Sequence, residues 1–204
     1  MIAAPLAGGV QTETTDRFRF VDDRSFFDRT AADVAVDLLG MLLVHDEQGG
    51  PTVGRIVEVE AYLGPEDLAS HSARGRTPRT ATMFGPPGHA YVYLVYGLHH
   101  CLNVVCGPGG KPEAVLLRAA QMLGGVSLAA GRRPGVPSGR LATGPGNLAR
   151  AFGVDRVQNG ADLLAGPLRI AQGRQPTAVE RTARIGVDYA GEWARAPLRY
   201  LARE

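Results

Sequence analysis

Two runs of aromatic and β-branched residues, separated by only two residues, most constrain how this chain can fold. Residues 90–96 (AYVYLVY) and 99–105 (HHCLNVV) flank Gly97 and Leu98. Such runs are typical of β-strands, and a two-residue connection that begins with glycine fits a type II′ turn. The pattern therefore predicts a β-hairpin. It also places Tyr96 beside the tip, where we expect its side chain to be exposed.

The other segments predict a mixed α/β domain of the α+β kind. Thr30 is suited to cap a helix over residues 31–39, which Gly40 ends. Further strands are predicted at 41–44, 53–62, 114–117 and 168–170, and further helices at 119–130 and 147–152. No internal repeat or linker divides the chain. We therefore expect a flexible arm at 1–15 and one domain over 16–204.

The predicted strand at 53–62 places two carboxylates beside an aromatic ring. Because side chains alternate along a strand, a period of two separates its residues into two faces. One face would carry Ile56, Glu58, Glu60 and Tyr62, and the other Val57, Val59 and Ala61.

Glu60, Tyr62 and His71 are the candidates for chemistry. Hydrolysis through an oxocarbenium-like transition state needs a carboxylate that orients water and balances positive charge on the sugar. Aromatic faces suit a flat base held beside it, and Tyr93 on a neighbouring strand could supply an opposing face. Each residue also has a structural explanation, because strand glutamates are often solvated and tyrosines and histidines often serve in packing.

Basic residues are concentrated in the middle of the chain. The formal net charge is +2, but residues 1–67 sum to −8, residues 68–157 to +8 and residues 158–204 to +2. A basic block of this size is typical of proteins that bind a polyanion, most often nucleic acid. The same charge could instead form a solvated face that balances the acidic first third, so both interpretations stay open.

The cysteines and the start of the chain favour a cytoplasmic protein. Cys101 and Cys106 lie in a sequence without a convincing export signal, because residues 1–10 are apolar but carry no basic residue. We therefore expect free thiols in a reducing compartment, and no membrane span, since no apolar run reaches about 18 residues. His99 and His100 do not combine with the cysteines into a zinc-ligand spacing, so we expect no metal.

A series of short motifs gives a more specific signal. They are RIVEVEAYLG at 55–64, HS at 71–72, TPR at 77–79, MF at 83–84, YVYLVYG at 91–97, LN at 102–103, LLR at 116–118, RIGV at 184–187 and AGEWAR at 190–195. Together they closely resemble the alkyladenine DNA glycosylase family, the mammalian type of 3-methyladenine DNA glycosylase. The resemblance extends over about residues 30–201.

The resemblance implies a monofunctional enzyme of base-excision repair. Such an enzyme flips an alkylated or deaminated purine out of duplex DNA and hydrolyses its N-glycosidic bond, leaving an abasic site. Expected substrates are of the 3-methyladenine, 7-methylguanine, hypoxanthine and ethenoadenine type. The implied fold is a single domain with a curved antiparallel sheet, surrounding helices and a protruding hairpin that inserts into DNA. The implied partner is the minor groove of double-stranded DNA, bound by a monomer that needs no cofactor; in a bacterium the protein would be nucleoid-associated.

The matching motifs also carry residue roles. Glu60 would be the general base for water, with Arg118 and the backbone of Val187 holding that water. Tyr62, His71 and Tyr93 would enclose the flipped base, and Asn103 would help to exclude guanine. Tyr96 would be the intercalating wedge. Contacts to the DNA backbone would come from Arg76, Thr77, Arg79, Met83, Thr143 and Gly144.

The single lysine, Lys111, agrees with water rather than an amine as the nucleophile, because a lyase step needs an imine-forming amine. Two other functions remain open from the residues alone. A nucleoside or nucleotide hydrolase would use Glu60 and the aromatic residues but would leave Tyr96 and the basic block without a role. A non-catalytic nucleic-acid-binding protein would use the basic block but would not need Glu60.

Overall fold

The computed structural model describes residues 17–204, so the arm predicted at 1–15 lies outside the described residues. The helices within that part of the chain are α1 (Ala31–Leu38), α2 (Val126–Arg132) and α3 (Pro145–Ala151). The strands are β1 (Leu42–His45), β2 (Thr52–Tyr62), β3 (Ala90–Val95), β4 (His99–Cys106), β5 (Glu113–Gly124), β6 (Leu168–Ala171), β7 (Ala178–Thr182) and β8 (Arg199–Arg203). None of the described helices is long and apolar enough to cross a membrane.

The strands form one curled, fully antiparallel sheet, which confirms the predicted fold class. Its order is β3-β4-β5-β2-β1-β6, and β8 branches from β2 with β7 as its outer neighbour. Helices α1 and α3 pack against the central strands β2, β4 and β5. This contact buries one large apolar core, in which Phe27, Leu38, Leu117 and Phe152 have no solvent-exposed surface. The opposite face of β2 and β5 is left for polar side chains.

The predicted helix α1 is confirmed, and its start is fixed by two caps. Thr30 Oγ1 accepts a hydrogen bond from the Asp33 amide at 3.2 Å, as expected for an N-cap residue. The Ala31 amide donates to Glu113 Oε2 at 2.6 Å. Glu113 opens β5, so this bond ties the helix to the central sheet.

Three register shifts interrupt the pairing of β2 with β5, and the two nearest Glu60 are β-bulges that offset each other. Ile56 pairs with Ala120 and Glu58 with Ala119, which makes Val57 an extra residue in β2. Val59 then pairs with Leu117, so Arg118 is an extra residue in β5. A bulge reverses the side-chain alternation of its strand. Ile56 therefore joins Val59 in the apolar core, and the prediction that Ile56 shares a face with Glu60 is wrong.

One predicted element, the helix at 119–130, needs correction, and two strands were missed. Residues 119–124 are not helical, because they continue β5 and pair with β2 as far as Gly124. Helix α2 is consequently limited to Val126–Arg132. Alanine-rich sequence favours a helix, but pairing along the long strand β2 overrides that local preference. The outer strands β7 and β8 were not predicted, since their short polar sequences lack a run of strand-forming residues.

The predicted hairpin is present as β3 and β4, but its turn is displaced by one residue. Leu98 N donates to Val95 O at 3.0 Å, which makes Tyr96 and Gly97 the central residues of the turn. Their φ angles are 51° and 69°. Two consecutive positive φ angles fit a type I′ rather than a type II′ turn. The Tyr96 side chain is 91% exposed, as predicted.

Candidate active site

A cavity of about 510 Å³ opens on the polar face of the sheet, between the β3–β4 hairpin and the segment that follows β7. Most of the predicted site residues line it: Glu60, Tyr62, His71, Arg79, Met83, Tyr93, Tyr96, Asn103, Arg118 and Val187. The fold thus brings together side chains that are up to 127 positions apart in the sequence. The cavity lining does not include four of the residues that are predicted to contact the DNA backbone, namely Arg76, Thr77, Thr143 and Gly144.

Glu60 lies in the cavity wall with no solvent-exposed surface. Its Oε2 accepts a hydrogen bond from the Tyr62 hydroxyl at 2.9 Å, and its Oε1 accepts one from the Ile185 amide at 2.8 Å. Arg118 Nη1 lies 3.2 Å from the same Oε1. A carboxylate has about four acceptor positions, so these three donors leave room for one more. The carboxylate is therefore held in one orientation and keeps one acceptor position that none of these donors uses.

Arg118 is itself positioned by a second carboxylate. Its Nε donates to Glu58 Oε1 at 2.8 Å, and Arg199 Nε donates to the same oxygen at 2.7 Å. The bulges in β2 and β5 produce this arrangement, because they place Glu58 beside the extra residue Arg118. The alternating charges of the cluster offset the cost of burying each charged group.

The ring of Tyr62 contacts a buried ion pair. Arg184 and Asp67 have fully buried side chains, and Arg184 Nη2 donates to Asp67 Oδ1 at 2.8 Å. The Arg184 guanidinium also lies 4.7 Å from the centre of the Tyr62 ring. Burial, and next the Glu60 carboxylate, raises the pKa of Tyr62, so its hydroxyl stays protonated and able to donate to Glu60.

His71, Tyr91 and Tyr93 form the aromatic wall of the cavity. The His71 and Tyr93 rings meet edge to face at 4.5 Å, and the Tyr91 and Tyr93 rings lie 5.2 Å apart. His71 Nδ1 lies 3.0 Å from the Tyr91 hydroxyl. Burial, helped by the positive charges of Arg79 and Arg74, lowers the pKa of His71 to about 4. The imidazole is therefore neutral near pH 7, and the wall gains no positive charge from it.

The lowered pKa of His71 should make the folded protein acid-sensitive. An unfolded chain takes up this proton near pH 6.5 and the folded one only near pH 4. The free energy of unfolding should therefore fall as the pH drops through this window, by up to about 1.4 kcal/mol per pH unit. Urea unfolding across the window tests this, with His71→Gln as the comparison. Equal pH dependence in the two proteins would show that another group is responsible.

Asn103 and Val187 complete the inner wall of the cavity. Asn103 is buried in β4, and its Nδ2 donates to Tyr91 O across the hairpin at 3.0 Å. This bond fixes the amide against the cavity. Val187 is also buried, and its carbonyl accepts from the Ala190 amide at 2.9 Å. A carbonyl oxygen has two lone pairs, so the Val187 carbonyl oxygen retains one acceptor position.

Several residues of this site were not predicted from the sequence. Tyr91 belongs to one of the motifs but receives no role from it, although strand alternation places Tyr91 on the same face as Tyr93. Glu58 was placed on the face of Glu60, but its bond to Arg118 could not be foreseen without the bulges. The Ile185 amide and the Asp67–Arg184 pair have no signal in the sequence pattern, because they depend on where the chain passes after β7.

Cys101 lines the cavity and Cys106 lies in the core, and both are free thiols. Burial raises the pKa of each. Within residues 17–204, no group of three or more histidine, cysteine, aspartate or glutamate side chains is placed to hold a metal ion.

Comparisons with known proteins agree with this geometry. The family model of methylpurine-DNA glycosylase matches residues 25–204. A protein of Myxococcus xanthus is 48% identical over 182 residues, which cover 88% of this chain and 89% of the relative. A protein of Streptomyces avermitilis is 49% identical over 174 residues, which cover 82% of each chain. One of Methanocella arvoryzae is 45% identical over 179 residues, which cover 87% of this chain and 90% of the relative.

The names of these three relatives provisionally assign each of them as a 3-methyladenine DNA glycosylase. The fold and these similarities define a DNA glycosylase, that is, an enzyme of DNA repair. The chain belongs to the methylpurine-DNA glycosylase family. The resemblance expected from the sequence motifs is thereby confirmed.

Proposed function

We propose that this protein excises alkylated and deaminated purines from duplex DNA by hydrolysis with a Glu60-activated water. The substrates would be of the 3-methyladenine, 7-methylguanine, hypoxanthine and ethenoadenine type. The observation that carries the proposal is the fully buried Glu60 carboxylate, which retains one acceptor position in an aromatic cavity of about 510 Å³. A flipped purine fits such a cavity, since base-flipping enzymes read the extruded base between aromatic side chains.

In the proposed reaction the N-glycosidic bond breaks with its electron pair passing to the base, and positive charge develops on the sugar. The ionised Glu60 stabilises that charge and orients the water. The water oxygen bonds to the anomeric carbon, and its proton passes to Glu60. Arg118 and the Val187 carbonyl hold the water in place. A purine that alkylation has made cationic, such as 3-methyladenine or 7-methylguanine, departs without further protonation, whereas a neutral lesion such as hypoxanthine or ethenoadenine must gain a proton.

Tyr62, His71 and Tyr93 would enclose the flipped base. A neutral His71 suits this role, because it adds no like charge opposite a cationic base. The Asn103 amide, fixed by its bond to Tyr91 O, would meet the edge of the purine. A rigid amide would oppose the exocyclic amino group of guanine and so disfavour undamaged guanine. 7-Methylguanine keeps that group, but its cationic ring makes it the better leaving group.

The exposed tip of the hairpin suits insertion into DNA. Tyr96 would enter the minor groove and occupy the gap left by the flipped base, as apolar wedges do in other minor-groove proteins. The proposed contacts to the DNA backbone are Arg76, Thr77, Arg79, Met83, Thr143 and Gly144. Arg76, Thr77 and Thr143 are exposed, as a contact with phosphate requires. We propose that the protein acts as a monomer in the cytoplasm.

We also propose that the enzyme is monofunctional, with no lyase step. Lys111 is the only lysine in the sequence, and it does not line the cavity. Its Nζ lies 3.1 Å from Glu113 Oε1 and 3.4 Å from Glu66 Oε2. The bond to Glu113 raises the pKa of Lys111, so the amine stays protonated. A protonated, ion-paired amine cannot form an imine with the abasic sugar.

Incubation with a duplex that contains a single hypoxanthine or ethenoadenine tests the proposed function. We expect release of the free base and strand cleavage only after alkali, because the abasic product stays intact. Activity on free nucleosides but not on the duplex would favour the nucleoside hydrolase. Binding to DNA without release of any modified purine would favour the non-catalytic protein. Cleavage without alkali would contradict the absence of a lyase step.

A further inference from the structure

Arg79 is an exposed residue that also lines the cavity. Its guanidinium carbon is 5.1 Å from the centre of the Tyr93 ring, and its Nη2 donates to Leu94 O at 3.3 Å. The residue also lines the cavity together with Glu60 and Arg118. A positive charge is therefore already stacked on one of the rings that would hold a flipped base.

The charge of Arg79 is not balanced by a neighbouring acid. Arg118 lines the same cavity, but it is paired with Glu58 and Glu60. In residues 17–204, by contrast, no carboxylate lies within ion-pairing distance of Arg79. Arg79 is also one of the charges that lower the pKa of His71, which shows that its field reaches the aromatic wall.

Two of the tyrosine rings that line the cavity are thus in contact with guanidinium groups. Arg184 lies 4.7 Å from the centre of the Tyr62 ring, as Arg79 lies 5.1 Å from that of Tyr93. A ring attracts a cation through its negative faces, and a cation already on one face weakens the attraction for a second. The aromatic cavity therefore offers less stabilisation to a cationic base than its ring content alone would indicate.

We propose that Arg79 is a specificity-determining residue that favours neutral purine lesions, such as hypoxanthine, over cationic ones, such as 7-methylguanine. The inference rests on the proposed function, because it assumes that a flipped base enters this cavity. Two effects act in the same direction. The unpaired guanidinium repels a cationic base at the short distances of the cavity. Its contact with the Tyr93 ring also weakens the attraction of that ring for the base.

Single-turnover release of hypoxanthine and of 7-methylguanine from the same duplex sequence tests the proposal. Each variant is compared with wild type on each lesion, so the different intrinsic reactivities of the two bases cancel. For Arg79→Gln we expect the rate on 7-methylguanine relative to that on hypoxanthine to rise about tenfold. Arg79→Lys keeps the charge and should keep most of the wild-type preference. Arg76→Gln removes a neighbouring exposed charge outside the cavity and should change both rates by the same factor.

An equal change of both rates in Arg79→Gln would overturn the proposal and indicate that Arg79 contacts a DNA phosphate instead. An unchanged rate ratio with full activity would overturn it as well. Both results leave the proposed function intact, because the wild type still releases the bases. If the wild-type protein releases neither base, the proposed function fails and this inference fails with it.

Discussion

Replacing Glu60 with glutamine should slow the release of a modified purine by a factor of about 10²–10⁴, the usual contribution of a general base. Glutamine has nearly the same shape, but it carries no negative charge for the developing oxocarbenium ion and cannot take a proton from water. Its amide can still occupy the place between Tyr62 and Ile185. Single-turnover release from a duplex with one ethenoadenine measures the effect.

Glu113→Gln is the matched control for this experiment. Like Glu60, Glu113 is a buried carboxylate that accepts a backbone N–H and faces a cationic side chain, but its partners are Ala31 and Lys111. It lies outside the cavity. We expect Glu113→Gln to lower the free energy of unfolding but to leave base release close to wild type. Equal losses in both variants, or no loss in Glu60→Gln, would contradict the proposed mechanism.

Replacing Tyr96 with asparagine should separate stability from function at the hairpin tip. A tyrosine with φ of 51° lies in the left-handed region, which costs residues with a Cβ atom about 1 kcal/mol. Asparagine tolerates this region better, so the free energy of unfolding should stay equal or rise. Base release should nevertheless fall about 10²-fold, because the wedge offsets an unpairing cost of a few kcal/mol. Binding to undamaged duplex should change much less.

Tyr96→Phe keeps the ring and removes only the hydroxyl, so it should retain most of the activity. Urea unfolding, duplex binding and single-turnover release on all three proteins give the necessary comparison. If Tyr96→Asn releases the base as fast as wild type, the exposed tyrosine has no role as a wedge. If Tyr96→Asn has a lower free energy of unfolding than wild type, the backbone strain at the turn is smaller than the φ angle of Tyr96 indicates.

The parts of the fold that depend on local sequence could be predicted. The cap at Thr30 and the aromatic runs of β3 and β4 specify their elements through short-range preferences, and the structure contains both. The continuation of β5 beyond Leu117 could not be predicted in this way. Residues 119–124 have no strong strand preference, and only the long partner β2 keeps them extended.

The candidate site, like the fold, could be predicted only in part. Glu60, Tyr62, His71 and Tyr93 could be selected because their residue types suit the chemistry and they lie on or near predicted strands. The groups that orient Glu60 could not be selected, since they come from distant parts of the chain. The Ile185 amide and the Asp67–Arg184 pair meet Glu60 and Tyr62 only after the segment beyond β7 folds back across the sheet.

The paired bulges of β2 and β5 also bear on how distant homologues should be judged. A shift of one residue in a strand moves every following side chain to the other face of the sheet. Val57 does not line the cavity, yet without it Glu60 would turn towards the apolar core. Conservation of the acidic residue is therefore an incomplete criterion for an active enzyme. When a sequence is assigned to this family, the number of residues between Arg55 and Glu60 and the matching insertion at Arg118 should therefore be checked as well.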